Sequence, residues 1–277
     1  MNNYILIFSA VILYFACSSL LFFRLKTHAK IAEPETGGLI EGLTKKQILF
    51  IGFAAVCLHA LNMYSNLQTA AGINLGFYNA ISIISVFITL FTLVATWRHP
   101  IDILTVIILP LAAITMLLYI NNSSIHLLPA DSSNALIFHI FTSIIAYSLL
   151  ALAALQAILL SVQNKFLHNH QPGKILKIMP PLKNMEALLF EVIIVGFIAL
   201  TISLGSGLLF LENMFAQQLA HKTVLSIFAW FVFLTLLIGR WKLGWRGRTA
   251  IRWTLGGFAS LMLAYFGSKF VLEIVLV

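Results

Sequence analysis

The sequence predicts an all-α polytopic membrane helix bundle with about eight transmembrane helices and both termini outside the cytoplasm. Three observations carry this expectation. Hydrophobic residues make up 60% of the 277 residues and charged residues 9%, which leaves too few polar groups to cover a soluble globule. Apolar runs of about 17 to 25 residues, the length that crosses a bilayer as a helix, recur along the whole chain. All but Lys222 and Lys269 of the 17 Lys and Arg follow the first, third, fifth or seventh of these runs, and the positive-inside rule assigns those segments to the cytoplasm.

The first run, 4–23, has no basic residue before it and Arg24, Lys26 and Lys30 after it. This is the reverse of a secretory signal peptide, so the run is expected to persist as a helix. An inner linker rich in Pro, Gly and charge leads to the second run, 47–64, and an outer segment, SNLQTAAGINLGF, to the third, 77–96. Asn74 and Asn79 stand at the start of the third run. Their amides suit either a polar cargo or a helix cap, and a cap is the better reading of Asn74. The fourth run, 101–120, follows after a short basic turn.

The fifth run, 135–162, opens with NALIFHIFTS and so places His139 in apolar surroundings. The inner loop behind it holds a His168-Asn-His170 triplet without partners at zinc spacing, which reads as a solvated basic loop. In the sixth run, 187–211, Glu186 and Glu191 mark the first turns, where they reach the interface or favour their own helix N-terminus. Gly205, Ser206 and Gly207 lie within it and permit close helix approach or, less commonly, room for a planar ring. His221 and Lys222 stand at the mouth of the seventh run, 223–239. Trp245 and Arg246, in the GWRG element before the eighth run, 253–274, read as an aromatic and basic interface anchor holding the last two spans. No run alternates with period two, which excludes a barrel, and no repeat of solenoid period is visible. The reading is a single integral membrane domain, 1–277.

Several function classes are excluded at this point. Cys17 and Cys57 lie inside spans, and C-x-x-C and C-x-x-C-H are both absent. A dithiol redox site and covalent haem attachment are therefore unsupported, and the cysteines read as small core residues. A proton pump needs a chain of buried carboxylates that this sequence lacks. No nucleophile with a base, carboxylate pair or metal-activated water can be assembled, so no enzymatic turnover is expected. The net charge of +8 is a topology signal, carried by short loops beside the anionic inner leaflet, and does not point to nucleic acid. The bilayer itself is the first partner.

Of the eight histidines, His28, His99, His168 and His170 fall in inner loops, and His126 in an outer loop reads as ordinary. His59 lies about five residues before the end of the second run and His139 about five after the start of the fifth. At a rise of about 1.5 Å per residue, both sit roughly 8 Å below the outer boundary. Two imidazoles from different helices at one depth can ligate a haem iron axially, and the neutral ring is the form that binds metal. His221 lies nearer the interface. For each ring the competing account is a hydrogen bond to a neighbouring helix or snorkelling to the headgroups. Lys222 suits a propionate partner or an interfacial cation.

Five blocks, GINLGFYNAISIISVF, RHPIDILTVIILPLAA, FHIFTSIIAYSLLALAALQAILL, HKTVLSIFAWFVF and GWRGRTAIRWTLGGFASLMLAYFGSK, resemble in that order those of the cytochrome c assembly protein family. These are haem-handling membrane proteins that include CcsA and HemX, and the likeness is closest to the YpjD-like inner-membrane branch. It runs from about residue 47 to the C-terminus.

The resemblance implies a haem-binding, multi-pass inner-membrane protein involved in cytochrome c assembly or haem handling. The implied partners are haem b, held non-covalently, and cytochrome c maturation proteins. In the family the histidine opening the FHIFTSIIAY block is a proposed outer haem ligand, a role this implies for His139. His59 or His221 is then the second ligand, with Lys222 and Asn79 as further cofactor contacts.

Two features depart from the family pattern. The tryptophan-rich loop expected before HKTVLSIFAW is replaced by LENMFAQQLA, and YFGSKFVLEIVLV contains no histidine. Both departures favour haem held within the bundle over haem displayed for attachment. The rival readings are a non-haem accessory or regulatory subunit of HemX type, and a transporter of haem or another small molecule. A transporter would be expected to have broken helices in matching halves, and the glycines and prolines are not so arranged.

Overall fold

The computed structural model describes residues 2–30, 43–69, 72–121, 126–129, 132–169, 178–210 and 220–267. Among the described residues there are eight helices: α1 (Asn2–Lys30), α2 (Lys45–Leu67), α3 (Phe77–Arg98), α4 (Asp102–Asn121), α5 (Asn134–His168), α6 (Leu182–Phe210), α7 (Ala220–Leu243) and α8 (Gly247–Met262). A π-helical turn, Leu263–Gly267, continues α8. Each of the eight apolar runs of the sequence thus corresponds to a helix.

Six of the helices hold stretches long and apolar enough to cross a membrane, in α1, α2, α3, α5, α6 and α7, whereas the apolar stretch of α4, Asp102–Leu118, is shorter. The chain is a multi-pass membrane protein. Boundaries shift where polar residues extend a helix past its apolar part. α1 continues through the basic segment to Lys30, and α6 begins at Leu182, ahead of both glutamates. α8 begins six residues before its apolar run, and the end of that run, 268–274, lies outside the described residues.

The chain forms two compact units. The first contains α1, α2, α4 and nearly all of α3. Thr44 and Gln47 form a capping box at the start of α2, each side chain serving the other residue's backbone N–H. At Gly52 an added Cβ would lie 2.9 Å from Leu93 and 3.1 Å from the Cys17 sulfur, so glycine is what lets α1, α2 and α3 meet there. Cys17 is buried and donates to the Ile48 carbonyl at 3.3 Å, consistent with its reading as a core residue.

Pro110 stands inside α4 and has no N–H to offer the carbonyl four residues back. That carbonyl belongs to Val106 and receives the Ser18 hydroxyl of α1 at 2.9 Å, which satisfies in the bilayer a group that would otherwise be bare. α3 carries a stripe of buried polar residues at helical spacing: Asn79, Ser82, Ser85, Thr89, Thr92 and Thr96. Ser85 bonds Thr115 at 2.7 Å and Thr96 bonds Thr105 at 2.5 Å, both on α4. One turn from Thr105, Asp102 at the start of α4 forms an ion pair at 2.9 Å with Lys45 at the start of α2.

The second unit contains α5 up to Asn164, then α6, α7 and α8, with a short antiparallel strand pair. Strands Gly72–Asn74 and Leu127–Pro129 pair antiparallel, Ile73 opposite Leu128. The sequence reading treats both segments as plain linkers, because three-residue strands carry no periodicity to detect. Asn74, read from the sequence as a cap of α3, ends the first of these strands. Its Oδ1 accepts from the backbone N–H groups of Gly76 and His126, at 3.0 and 3.1 Å, tying the approach to α3 to the other strand.

Gly196 lets α6 approach Leu150 of α5, and Gly257 lets α8 approach Phe233 of α7. Tyr147 of α5 is surrounded by Phe258, Tyr265 and Phe266, with Phe77 edge-on to Phe266. Gln156 donates to the Met185 carbonyl at 3.2 Å, joining α5 to α6.

The GWRG element joins α7 to α8, but its tryptophan does so by packing. Trp245 lies against Gly239 of α7 and pairs with Trp253 of α8, ring centres 5.3 Å apart. Glu186 is read from the sequence as reaching the interface or favouring the start of its own helix. It instead accepts the Gly247 N–H at 2.7 Å and so caps α8, where Arg246 at the N-cap makes no side-chain bond.

Candidate functional site

The two histidines singled out by depth belong to different units, and each unit treats its ring differently. His59, on α2, is 0% exposed. The Tyr14 hydroxyl lies 3.1 Å from its Nδ1 and the Ser82 hydroxyl 2.8 Å from its Nε2, with the Tyr14 ring edge-on at 5.9 Å. Both ring nitrogens are therefore engaged. A hydroxyl both donates and accepts, so this arrangement satisfies His59 in either neutral tautomer. The ring joins α1, α2 and α3. Asn79 is buried one turn before Ser82 on the same face of α3.

His139, in the first turns of α5, is half-buried. Its Nδ1 lies 2.9 Å from the carbonyl oxygen of Ser203 and 3.2 Å from the Ser206 hydroxyl, both on α6. A carbonyl only accepts, so Nδ1 carries the proton and Nε2 the lone pair. Among the described residues none bonds Nε2.

Further hydroxyls brace this arrangement. Ser143 donates to the His139 carbonyl at 2.6 Å and lies 2.6 Å from the Ser203 hydroxyl, while Ser206 donates to the Ser203 carbonyl at 2.8 Å. Gly205, between the two serines, has no described heavy atom within 4 Å of where a Cβ would stand. Close helix packing therefore does not explain the glycine at that position.

His221 begins α7 with Ala220, but its side chain lies outside the described residues. Lys222 follows it in the same unit and is partly exposed. His126 and His168 are exposed and His99 half-buried, with the His99 backbone carbonyl accepting from Lys45 at 3.2 Å. His170 and the side chain of His28 lie outside the described residues.

Sequence reasoning found His59, His139 and Ser206 but missed the residues that decide their chemistry: Tyr14, Ser82, Ser143 and Ser203. A partial signal exists for two of them. Ser143 is four residues after His139, on the same face of α5, and Ser82 belongs to the polar stripe of α3. Tyr14 and Ser203 have no local signal, since they lie 45 and 64 residues from the rings they touch.

Comparison with known proteins follows this geometry. A family described as Cytochrome C assembly protein matches residues 47–276. The chain is 32% identical over 242 residues to the inner membrane protein YpjD of Escherichia coli K12, covering 84% of this chain and 89% of that protein. It is 31% identical over 140 residues to an uncharacterized 28.8 kDa protein of Azospirillum brasilense, covering 50% of this chain and 52% of that one. It is 29% identical over 149 residues to the cytochrome c biogenesis protein CcsA of Chlamydomonas reinhardtii, covering 53% and 41%.

Proposed function

The chain belongs to the cytochrome c assembly protein family, and from that premise we propose that it is an inner-membrane protein that binds haem b non-covalently among its helices and takes part in cytochrome c assembly or haem handling. One observation carries the haem assignment. The His139 Nδ1–H is committed to the Ser203 carbonyl, leaving the Nε2 lone pair available. A backbone carbonyl on the far ring nitrogen is what commonly orients a metal-ligating histidine and raises its basicity.

The residues fit an iron porphyrin in donor chemistry: a neutral imidazole with a fixed tautomer, half-buried in its unit. His139 would be an axial ligand, and the haem would supply a one-electron iron centre or be itself the cargo. Ser203, Ser206 and Ser143 hold the ring and its proton in place. His221 is the better candidate for the second ligand, because His59 has both nitrogens engaged. Lys222 would face a propionate, and Asn79 stands one turn from Ser82 on α3. The role is binding or handling of haem, without catalytic turnover.

In this reading all eight helices cross the membrane, α4 and α8 included, and both termini lie outside the cytoplasm. A reporter fused after Val277 is then active on the non-cytoplasmic side, and cytoplasmic activity inverts the topology. Its partners are cytochrome c maturation proteins, in line with the name of the Chlamydomonas relative.

The haem assignment is tested by the absorption spectrum of detergent-purified protein before and after haem supplementation. The expected result is a Soret band that His139→Ala abolishes or shifts; full haem content in that variant removes His139 as a ligand. The second reading, a colourless accessory or regulatory subunit, draws on the saturated hydrogen bonding of His59. It predicts no Soret band after supplementation and a His139→Ala form that still assembles with its partner.

A further inference from the structure

The turn joining α7 to α8 is a rigidly built polar feature that the haem reading does not use. Gly244 and Gly247 hold positive φ, +66° and +51°, a conformation that other residues rarely adopt. Between them Trp245 packs so closely on Gly239 that a Cβ there would lie 2.4 Å from its ring. The Trp245 N–H donates to the Gly239 carbonyl at 3.1 Å, and Arg240 donates to the Trp245 carbonyl at 3.2 Å while lying 4.5 Å over the Phe190 ring. Glu186 is occupied by the Gly247 N–H. The acid and one arginine are thus consumed in building the turn.

Four cations remain over. Lys242, Arg246, Arg248 and Arg252 are exposed, and none makes an ion pair or side-chain hydrogen bond with another described residue. In the same stretch Trp241 is 87% and Leu243 70% exposed. Water suits the four cations but not the indole and leucine, and hydrocarbon the reverse. The headgroup level of a bilayer satisfies both, with cations on phosphates and the apolar side chains against acyl chains. α8 begins here, and the positive end of its dipole adds to the same potential.

We propose that this turn is a binding site for an anionic phospholipid, with the phosphodiester held by Arg246 and Arg248, further attraction from Lys242 and Arg252, and the acyl chains against Trp241 and Leu243. An acidic protein would answer the charges but not the exposed indole and leucine, and a free phosphate would leave them equally uncovered. The site is independent of haem.

The test compares Arg246→Gln/Arg248→Gln with a control, Lys165→Gln/Lys183→Gln, which removes two exposed cations from other basic segments. Lipid retained by protein purified in mild detergent is measured by native mass spectrometry. Affinity is measured by titration with phosphatidylglycerol, phosphatidylcholine or inorganic phosphate. Removing two interfacial cations is expected to lower phosphatidylglycerol affinity about tenfold to thirtyfold, with the control within about twofold of the parent and phosphatidylcholine binding unchanged.

Equal losses in both double variants would reduce the effect to general charge and overturn the site. An undiminished affinity in the arginine variant, or inorganic phosphate competing as well as the lipid, would also overturn it. Trp241→Ala gives a readout that leaves every charge in place: lower phosphatidylglycerol retention is expected, and unchanged retention removes the acyl contact that distinguishes a lipid from an acidic partner.

Discussion

His59 and His139 are the same residue type on two apolar helices, yet one ring is saturated and the other is half-committed. His59 meets a hydroxyl at each nitrogen, and a hydroxyl adapts as donor or acceptor, so the ring is satisfied and inert. His139 meets a carbonyl, which cannot donate, and that single constraint places the proton on Nδ1 and exposes a lone pair on Nε2. Depth and apolarity make a histidine costly. Whether that cost is offset by hydrogen bonds or by a ligand depends on what the opposite helix presents.

The largest test of this contrast is spectral. His139→Ala is expected to remove the Soret band while changing thermal stability by less than about 1 kcal/mol, since the ring is only half-buried. His59→Ala is expected to do the opposite, leaving the spectrum in place and costing about 2 to 3 kcal/mol. That cost arises because two buried hydroxyls lose their partner and a cavity opens among three helices. Haem loss in His59→Ala without loss of stability would reverse the assignment.

Gly239→Ala drives a methyl into the Trp245 ring and is expected to cost about 1 to 3 kcal/mol by overpacking, read as a lower unfolding temperature in detergent. Ser18→Ala bares the Val106 carbonyl that Pro110 leaves open and is expected to cost about 1 kcal/mol. In a Pro110→Ala background the same change is expected to be nearly neutral, because the restored amide takes over the carbonyl. Equal effects in both backgrounds would refute the account of Ser18. Ser206→Ala should be smallest, a few tenths of a kcal/mol with haem content intact, because the shorter bond from His139 goes to the Ser203 carbonyl, which stays.

Much of the fold was legible in the sequence because hydropathy is a local property. All eight apolar runs correspond to helices, and the early start of α8 was missed only because its first turn, Gly247 to Ala250, is polar in composition and capped from elsewhere by Glu186. The pairing of Gly72–Asn74 with Leu127–Pro129 was not legible, since the strands are shorter than any period and lie on either side of two helices. In the candidate site, residue types could be read, and so could Ser206. The partners of the rings could not, because hydrogen bonds across 45 and 64 residues leave no local pattern.

By itself, then, the sequence determined a membrane protein of helices and their order, because the bilayer accepts only apolar runs with internally bonded backbone. Only the tertiary structure decided which polar groups meet: Ser18 with the carbonyl freed by Pro110, Glu186 with the start of α8, and a carbonyl at one histidine but hydroxyls at the other. These pairings depend on helix rotation and contact between distant segments, and a shift of one residue in helix facing would exchange a donor for an acceptor without altering hydropathy at all.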